Sequence, residues 1–332
     1  MFPRAHALVV GALIVAGCSA APAAPTTTEG SSESSSGGSS TGTSSESSAA
    51  SSSTTSEGSS DESSSESSST GEPALPPAIG LVQYDGDGEH FGDREGNIAA
   101  LTMWAEAAVE QGARIIVMPE GSTYGYASET ELWCAPGMAE FNGRTCRDVS
   151  TVAETLPGGP TTGYWADFAA EHDVFVIYHV PEVEGSTYYA SLGVVSPEGY
   201  AGRYRKRSLY YVDQAYATPG ESAAVLSTPY GDFGLMICLD GTYDGPYYDE
   251  YVDAGVDGII IAMDWDDDPN GGAAAIDWFR DRADANKVRI YAADVSTWDG
   301  TGLYLPGDVP RERNGLPPIA IDIDGISVHE LP

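Results

Sequence analysis

The chain is short of positive charge, of cysteine and histidine, and of long apolar runs, and each shortage excludes something. Only 15 Lys and Arg stand against 50 Asp and Glu among 332 residues, a formal net charge of −35. Phosphate backbones demand clustered cations, and the basic residues here are scattered except in Arg203 to Arg207, so nucleic acid is excluded as a partner. The excess of carboxylates keeps such a chain soluble by self-repulsion, and no acidic run is by itself a site. His90, His172, His179 and His329 are dispersed, with no close Cys-His spacing of the kind zinc uses. Asp264, Asp266 and Asp268 alternate as calcium ligands do, but Pro269 stands where a calcium loop needs glycine and Ala275 where it needs a bidentate glutamate. No metal and no cofactor are expected. No apolar run reaches the ~18 residues that span a bilayer.

From Thr26 to Thr70 the chain lacks aromatic and large aliphatic residues altogether, so it has no apolar surface to offset the entropy of ordering and reads as a disordered linker. Ahead of it, Arg4 precedes the apolar run Ala7 to Ala16, of signal-peptide length. The ending Val15-Ala16-Gly17-Cys18 resembles a bacterial lipobox, which implies cleavage before Cys18 and attachment of lipid to it. The expected organisation is a lipoprotein signal peptide over 1–18, a linker over 19–76 and one catalytic-size domain over 77–332. The expected location is the bacterial cell envelope, with the membrane engaged through the anchor.

Within the domain, apolar runs of strand length alternate with segments of helical period, which predicts an α/β fold. Strands are expected at Ile79–Tyr84, Arg114–Met118, Val174–Val180, Tyr189–Val195, Gly202–Arg205, Leu235–Cys238, Gly258–Met263, Ile290–Val295 and Ile319–Ile323. Ser196-Pro197-Glu198-Gly199 has the composition of a hairpin turn. Helices are expected from Ile98 to Ala108, where apolar residues recur at three- and four-residue spacing, and at Thr162–Glu171, Tyr247–Ala254 and Ala273–Lys287. The stretch between the second strand and second helix, rich in Gly, Tyr and Cys, reads as a loop.

Three reactive residues fall where apolar strands end, the edge at which open α/β sheets place reacting groups. Glu120 closes Ile115-Ile116-Val117-Met118-Pro119, Lys206 follows Gly202-Arg203-Tyr204-Arg205, and Cys238 closes Gly234-Leu235-Met236-Ile237. Singly, each has a bland explanation: a solvated glutamate, a surface lysine, an inert core thiol. Together and in this order they resemble the nitrilase, or carbon-nitrogen hydrolase, superfamily. Met118-Pro119-Glu120 is similar to its glutamate motif, Gly202 to Lys206 to its lysine motif, and Gly231 to Asp240 to its nucleophile motif. The resemblance implies an α-β-β-α sandwich in a single catalytic domain. Pro119 to Tyr126 and Gly300 to Pro306 look like the vanin and biotinidase branch, whose disulfide position is matched by Cys134 and Cys146. The chain runs only a short way past Ile323, so no vanin-type C-terminal domain is expected and the branch's substrates are not carried over.

What the resemblance implies chemically is hydrolysis of a small-molecule amide. Cys238 would attack, Glu120 would act as general base and acid, and Lys206 with the backbone N–H of Leu239 would meet the oxyanion. The family's second glutamate is matched here by Asp213, one methylene shorter and equally readable as a solvated loop residue. Tyr124, Tyr126, Tyr210, Tyr211 and Trp265 flank these motifs and are candidates to line a substrate pocket, or to pair two copies as a homodimer. Nitrile hydrolysis or acyl transfer on the same triad, and a non-catalytic binding protein of the cell envelope, are the alternatives.

Overall fold

Short β-branched runs between helices lay down the sheets of this protein, a computed structural model of which describes residues 75–87, 90–242, 246–265, 275–296, 300–307 and 324–332. Cys18, the linker up to residue 74, Asp266, Asp268 and the expected strand Ile319–Ile323 lie outside the described residues. The chain starts with β1 (Ala78–Gln83), α1 (Arg94–Glu110) and β2 (Ala113–Val117). The Asp93 carboxylate caps α1 by accepting the Gly96 N–H at 3.0 Å, satisfying one of the donors that a helix start leaves open. Next come β3 (Glu131–Cys134), β4 (Glu140–Phe141), β5 (Arg144–Asp148) and α2 (Pro160–His172). The long antiparallel run of β6 (Phe175–Glu184), β7 (Thr187–Ser196) and β8 (Gly199–Arg205) follows. The second half contains β9 (Val225–Thr228), β10 (Gly231–Ile237), α3 (Pro246–Ala254), β11 (Gly258–Ala262), α4 (Ala275–Asn286), β12 (Ile290–Ala293), β13 (Gly302–Tyr304) and β14 (Gly325–Glu330).

Among the described residues the strands form a six-stranded sheet in the order β14-β1-β2-β6-β7-β8 and a five-stranded sheet in the order β13-β12-β11-β10-β9. Parallel pairs make the centre of each: β1 with β2 and β2 with β6 in one, β10 with β11 and β11 with β12 in the other. Period-two alternation assigns the faces. Leu81, Ile115, Val117 and Ile177 of the first sheet share one core cluster with Leu235, Ile237 and Ile259 of the second, so the sheets pack face to face. Val82, Ile116, Val176 and Tyr178 point the other way, onto Leu101, Ala105, Trp165 and Phe168 of α1 and α2. Tyr251, Phe279 and Ala283 bring α3 and α4 against the second sheet, completing the expected α-β-β-α sandwich. The approach of α1 is close: a Cβ on Gly80 would lie 2.7 Å from that of Ala108, so this strand position admits no larger residue.

The differences from the sequence reading, which also lacks the short edge strand β9, have physical causes. The stretch expected to be a loop holds a small sheet, β3-β5-β4, whose strands are short and partly polar, so no alternation announces them. A disulfide between Cys134 and Cys146, with Cα atoms 5.4 Å apart, links β3 to β5 and supplies the stability that a small core lacks. The Gly300 to Pro306 segment contains β13, an edge strand antiparallel to β12, and the terminal described strand is β14, paired antiparallel with β1. Neither edge strand has the apolar density of a central one, which is what the sequence reading detects.

Candidate active site

The two sheets bring the ends of β2 and β10 together with the segment after β8. Beyond β2, Met118 still donates its N–H to the Ile177 carbonyl at 2.9 Å, and Glu120 follows as the chain turns inward. Glu120 is fully buried, and its Oε1 accepts a hydrogen bond from Lys206 Nζ at 2.7 Å. Lys206 is equally buried, its backbone N–H tied to the Ala190 carbonyl of β7 at 2.9 Å. Its ammonium makes a second ion pair, 2.6 Å to Asp213 Oδ2. Asp213 is therefore no solvated loop residue: it is buried, accepts the Tyr126 hydroxyl at 2.9 Å and the Tyr210 N–H at 2.8 Å, and closes an acid–ammonium–acid row.

Cys238 begins a short 3-10 turn directly after β10, with φ +41, a conformation that costs a non-glycine residue energy and recurs at functional positions. Its thiol is free, 7% exposed, and directed at the Asp264 carbonyl at 3.5 Å. Leu239 stands in the first turn of this 3-10 segment, where an N–H has no intrahelical acceptor. The turn is braced by Asp240, whose carboxylate accepts the Tyr204 hydroxyl at 2.7 Å, the Ser208 N–H at 2.6 Å and the Ile237 N–H at 3.2 Å. One side chain thus ties the lysine segment to the cysteine turn.

The electrostatics follow from burying one cation with several acids. Burial pushes the Glu120 carboxyl up, Asp213 adds to it and Lys206 opposes, leaving it at about 7. Burial and the Glu120 charge hold the Cys238 thiol well above its ordinary value, against the pull of Lys206. Burial by itself would lower Lys206, but Asp213 and Glu120 outweigh it and keep the ammonium charged. The resting site therefore holds a thiol beside a carboxylate whose proton affinity suits transfer near neutral pH, with a permanent cation alongside.

The flanking aromatics divide. Tyr126 belongs to the cluster, its ring 5.5 Å from Lys206 Nζ. The Tyr124 hydroxyl instead donates to buried Glu154 at 2.7 Å, bracing the loop. Tyr210 and Tyr211 are exposed and pack edge-on against each other. Trp265 is half-buried, its ring against Trp278 and Phe279, and its backbone N–H donates to Asp294 Oδ1 at 3.0 Å. Sequence reasoning missed Asp240, although it closes the quoted nucleophile motif, and Tyr216, whose phenol sits in the field of Asp213, Glu120 and Lys206 and is held well above its usual value by burial and then by Asp213. It also missed His179, whose Nδ1 accepts the Gly121 N–H at 3.2 Å. A cavity of about 420 Å³ beside β8 is lined by Glu184, Tyr189, Arg203 and Arg205 and does not border Glu120, Lys206 or Cys238; volume alone does not locate the chemistry.

An α-β-β-α sandwich that gathers a glutamate, a lysine and a cysteine at strand ends defines a class, and comparison with known proteins agrees with it. Residues 78–286 match the carbon-nitrogen hydrolase family, and the chain belongs to that family. A nitrilase of Pyrococcus abyssi (strain GE5 / Orsay) is 31% identical over 134 residues, which is 40% of this chain and 45% of the relative. The pantetheinase of Bos taurus is 24% identical over 239 residues, 65% of this chain and 45% of the relative, so the vanin-like words have a counterpart. The chain spans roughly half the length of the curated relatives it matches. An amidase from Nesterenkonia sp. AN1, in a mutant form carrying the acetamide moiety of fluoroacetamide on its active-site cysteine, superposes with a TM-score of 0.60 at 19% identity, covering 79% of this chain and 92% of that one; the likeness is one of fold.

Proposed function

We propose that this protein is an exported, lipid-anchored amidohydrolase that cleaves the carbon-nitrogen bond of a small-molecule amide through a thioester on Cys238. The observation that carries the reading is the buried contact of Lys206 Nζ with Glu120 Oε1 at 2.7 Å beside a free thiol on a strained turn. An amide carbon is a poor electrophile, and the three residues supply what its cleavage needs. The Cys238 sulfur attacks the carbonyl carbon while Glu120 takes the thiol proton, and the oxyanion forms against the Lys206 ammonium and the Leu239 N–H. Collapse breaks the C–N bond as Glu120 passes its proton to the departing nitrogen. Water then attacks the thioester, Glu120 again takes the proton, and C–S cleavage returns it to sulfur with release of the acid.

A cysteine adduct in the Nesterenkonia amidase and the pantetheinase and amidase names among the related proteins support an amide as substrate. The nitrilase of Pyrococcus abyssi favours a nitrile as the competing electrophile on the same residues. A panel of amides and nitriles with Cys238→Ala as control decides: amide turnover abolished in the variant, with an acyl-enzyme seen by intact mass only in the wild type, supports the proposal. Nitrile turnover well above every amide rate replaces it with the competing reading, and full activity of folded Cys238→Ala ends the thioester mechanism. Export is supported by the Cys134–Cys146 disulfide, a bond of oxidising compartments, together with the signal-peptide pattern. Labelled fatty acid should be incorporated in the wild type and lost in Cys18→Ser; equal labelling of both removes the anchor.

A further inference from the structure

His179 is a buried ionisable side chain that the mechanism above does not use. It lies on β6, paired in register with Leu192, and alternation places it on the face of Ile177, which is turned toward the second sheet. Only 3% of it is exposed. Its Nδ1 accepts the Gly121 N–H at 3.2 Å, which assigns the neutral ring with its proton on Nε2. Nε2 is buried and has no hydrogen-bond partner among the described residues. A buried N–H without an acceptor costs stability, so packing alone would favour an apolar side chain at this position.

Among the described residues, the one bond the imidazole makes falls on the peptide that joins Glu120 to Gly121. That residue has φ +73, and its carbonyl is held from the other side by the Gly125 N–H at 2.7 Å. The preceding Pro119 carbonyl accepts the Ser122 hydroxyl at 2.7 Å. The backbone carrying Glu120 is thus pinned on both flanks, while Lys206 grips only the carboxylate. Burial first, then the Lys206 charge, push the imidazole down to about 3, so the acceptor on Nδ1 persists at any ordinary pH.

We infer that His179 is a positioning residue of this site, which through the Gly121 N–H holds the Glu120 carboxylate in line with the Cys238 thiol and makes no contact with substrate. The inference rests on the reading of Glu120 as the base for Cys238, and it is tested without any assumed substrate. Full-length wild type, His179→Phe and His179→Asn are compared for the rate of Cys238 alkylation by iodoacetamide, for thermal unfolding midpoint, and for kcat and KM on whichever amide the wild type hydrolyses. Phenylalanine keeps an aromatic ring and removes the acceptor; asparagine keeps an acceptor. Loss of an aligned base should slow alkylation and kcat about tenfold in His179→Phe, with KM changed less than about twofold, and His179→Asn should recover most of both. Wild-type alkylation in folded His179→Phe, or no recovery in folded His179→Asn, overturns the inference. Nitrogen NMR of the wild type is independent of whether the variants fold: an unprotonated Nδ1 from pH 5 to 8 is expected, and a proton on Nδ1 or a ring titrating in that range overturns it. If alkylation follows this pattern while no amide is cleaved by any of the proteins, the positioning role stands and the amidohydrolase reading falls.

Discussion

Replacing Lys206 by methionine keeps an unbranched apolar stem and removes the one ammonium that faces both Glu120, at 2.7 Å, and Asp213, at 2.6 Å. With an effective dielectric of ~20, each contact is worth about 6 kcal/mol of Coulomb energy, most of which offsets the desolvation of burying the ions. Removing one partner leaves the other charges buried and uncompensated, a loss of about 3–5 kcal/mol when both carboxylates stay ionised. Glu120 need not stay ionised. Glu120 is already raised to about 7 by burial, and without the lysine it holds its proton more tightly still. An acid whose folded-state value lies above its unfolded value stabilises the fold most at low pH, and that stability is lost as pH rises through the raised value. The Lys206→Met penalty should therefore be larger at pH 8 than at pH 5, by about 1 kcal/mol because the wild type also loses stability up to pH 7, in urea unfolding followed by tryptophan fluorescence. Adding Asp213→Asn to the variant should recover about 2 kcal/mol at pH 8 without restoring activity. An equal penalty at both pH values, or no recovery from the second substitution, would refute the buried acid–ammonium–acid row.

Glu120 near 7 also predicts the pH profile of turnover: kcat/KM on an amide should rise about tenfold per unit below pH 7 and flatten above it, and an acidic limb near 4.5 would contradict the buried base. Glu120→Gln can neither accept the thiol proton nor activate water, so a reactive ester should leave a thioester on Cys238 that persists in intact-mass spectra; rapid deacylation would assign the water-activating role elsewhere. Replacing both Cys134 and Cys146 by serine should lower the unfolding free energy by about 2–3 kcal/mol through the closed loop that is lost, and an unchanged urea midpoint would show that β3 to β5 hold themselves.

Much of this protein is legible along the chain because local chemistry decides it. Strands such as Gly258–Ala262 and Gly231–Ile237 carry apolar density that only a buried sheet can absorb, and α1 shows its helical period plainly. Glu120, Lys206 and Cys238 are conspicuous because each falls just beyond the end of a strand. The polar supports are not, since an isolated carboxylate or imidazole in a sequence looks like any solvated one. Asp213 becomes a buried ion-pair partner only when β8 delivers Lys206 against it, with Tyr126, 87 residues away, supplying a hydrogen bond. Asp240 bonds to Tyr204 across 36 residues, and His179 meets Gly121 across 58. The small β3-β5-β4 sheet is likewise invisible to periodicity, because its strands are short and β4 and β5 are largely polar and half-exposed. The sequence by itself determined the helices, the central strands and the three reactive residues at strand ends, since those depend on near neighbours. Only the tertiary structure decided which acids and imidazole surround them, because the desolvation and hydrogen bonding that give such groups their roles exist only once distant segments pack together.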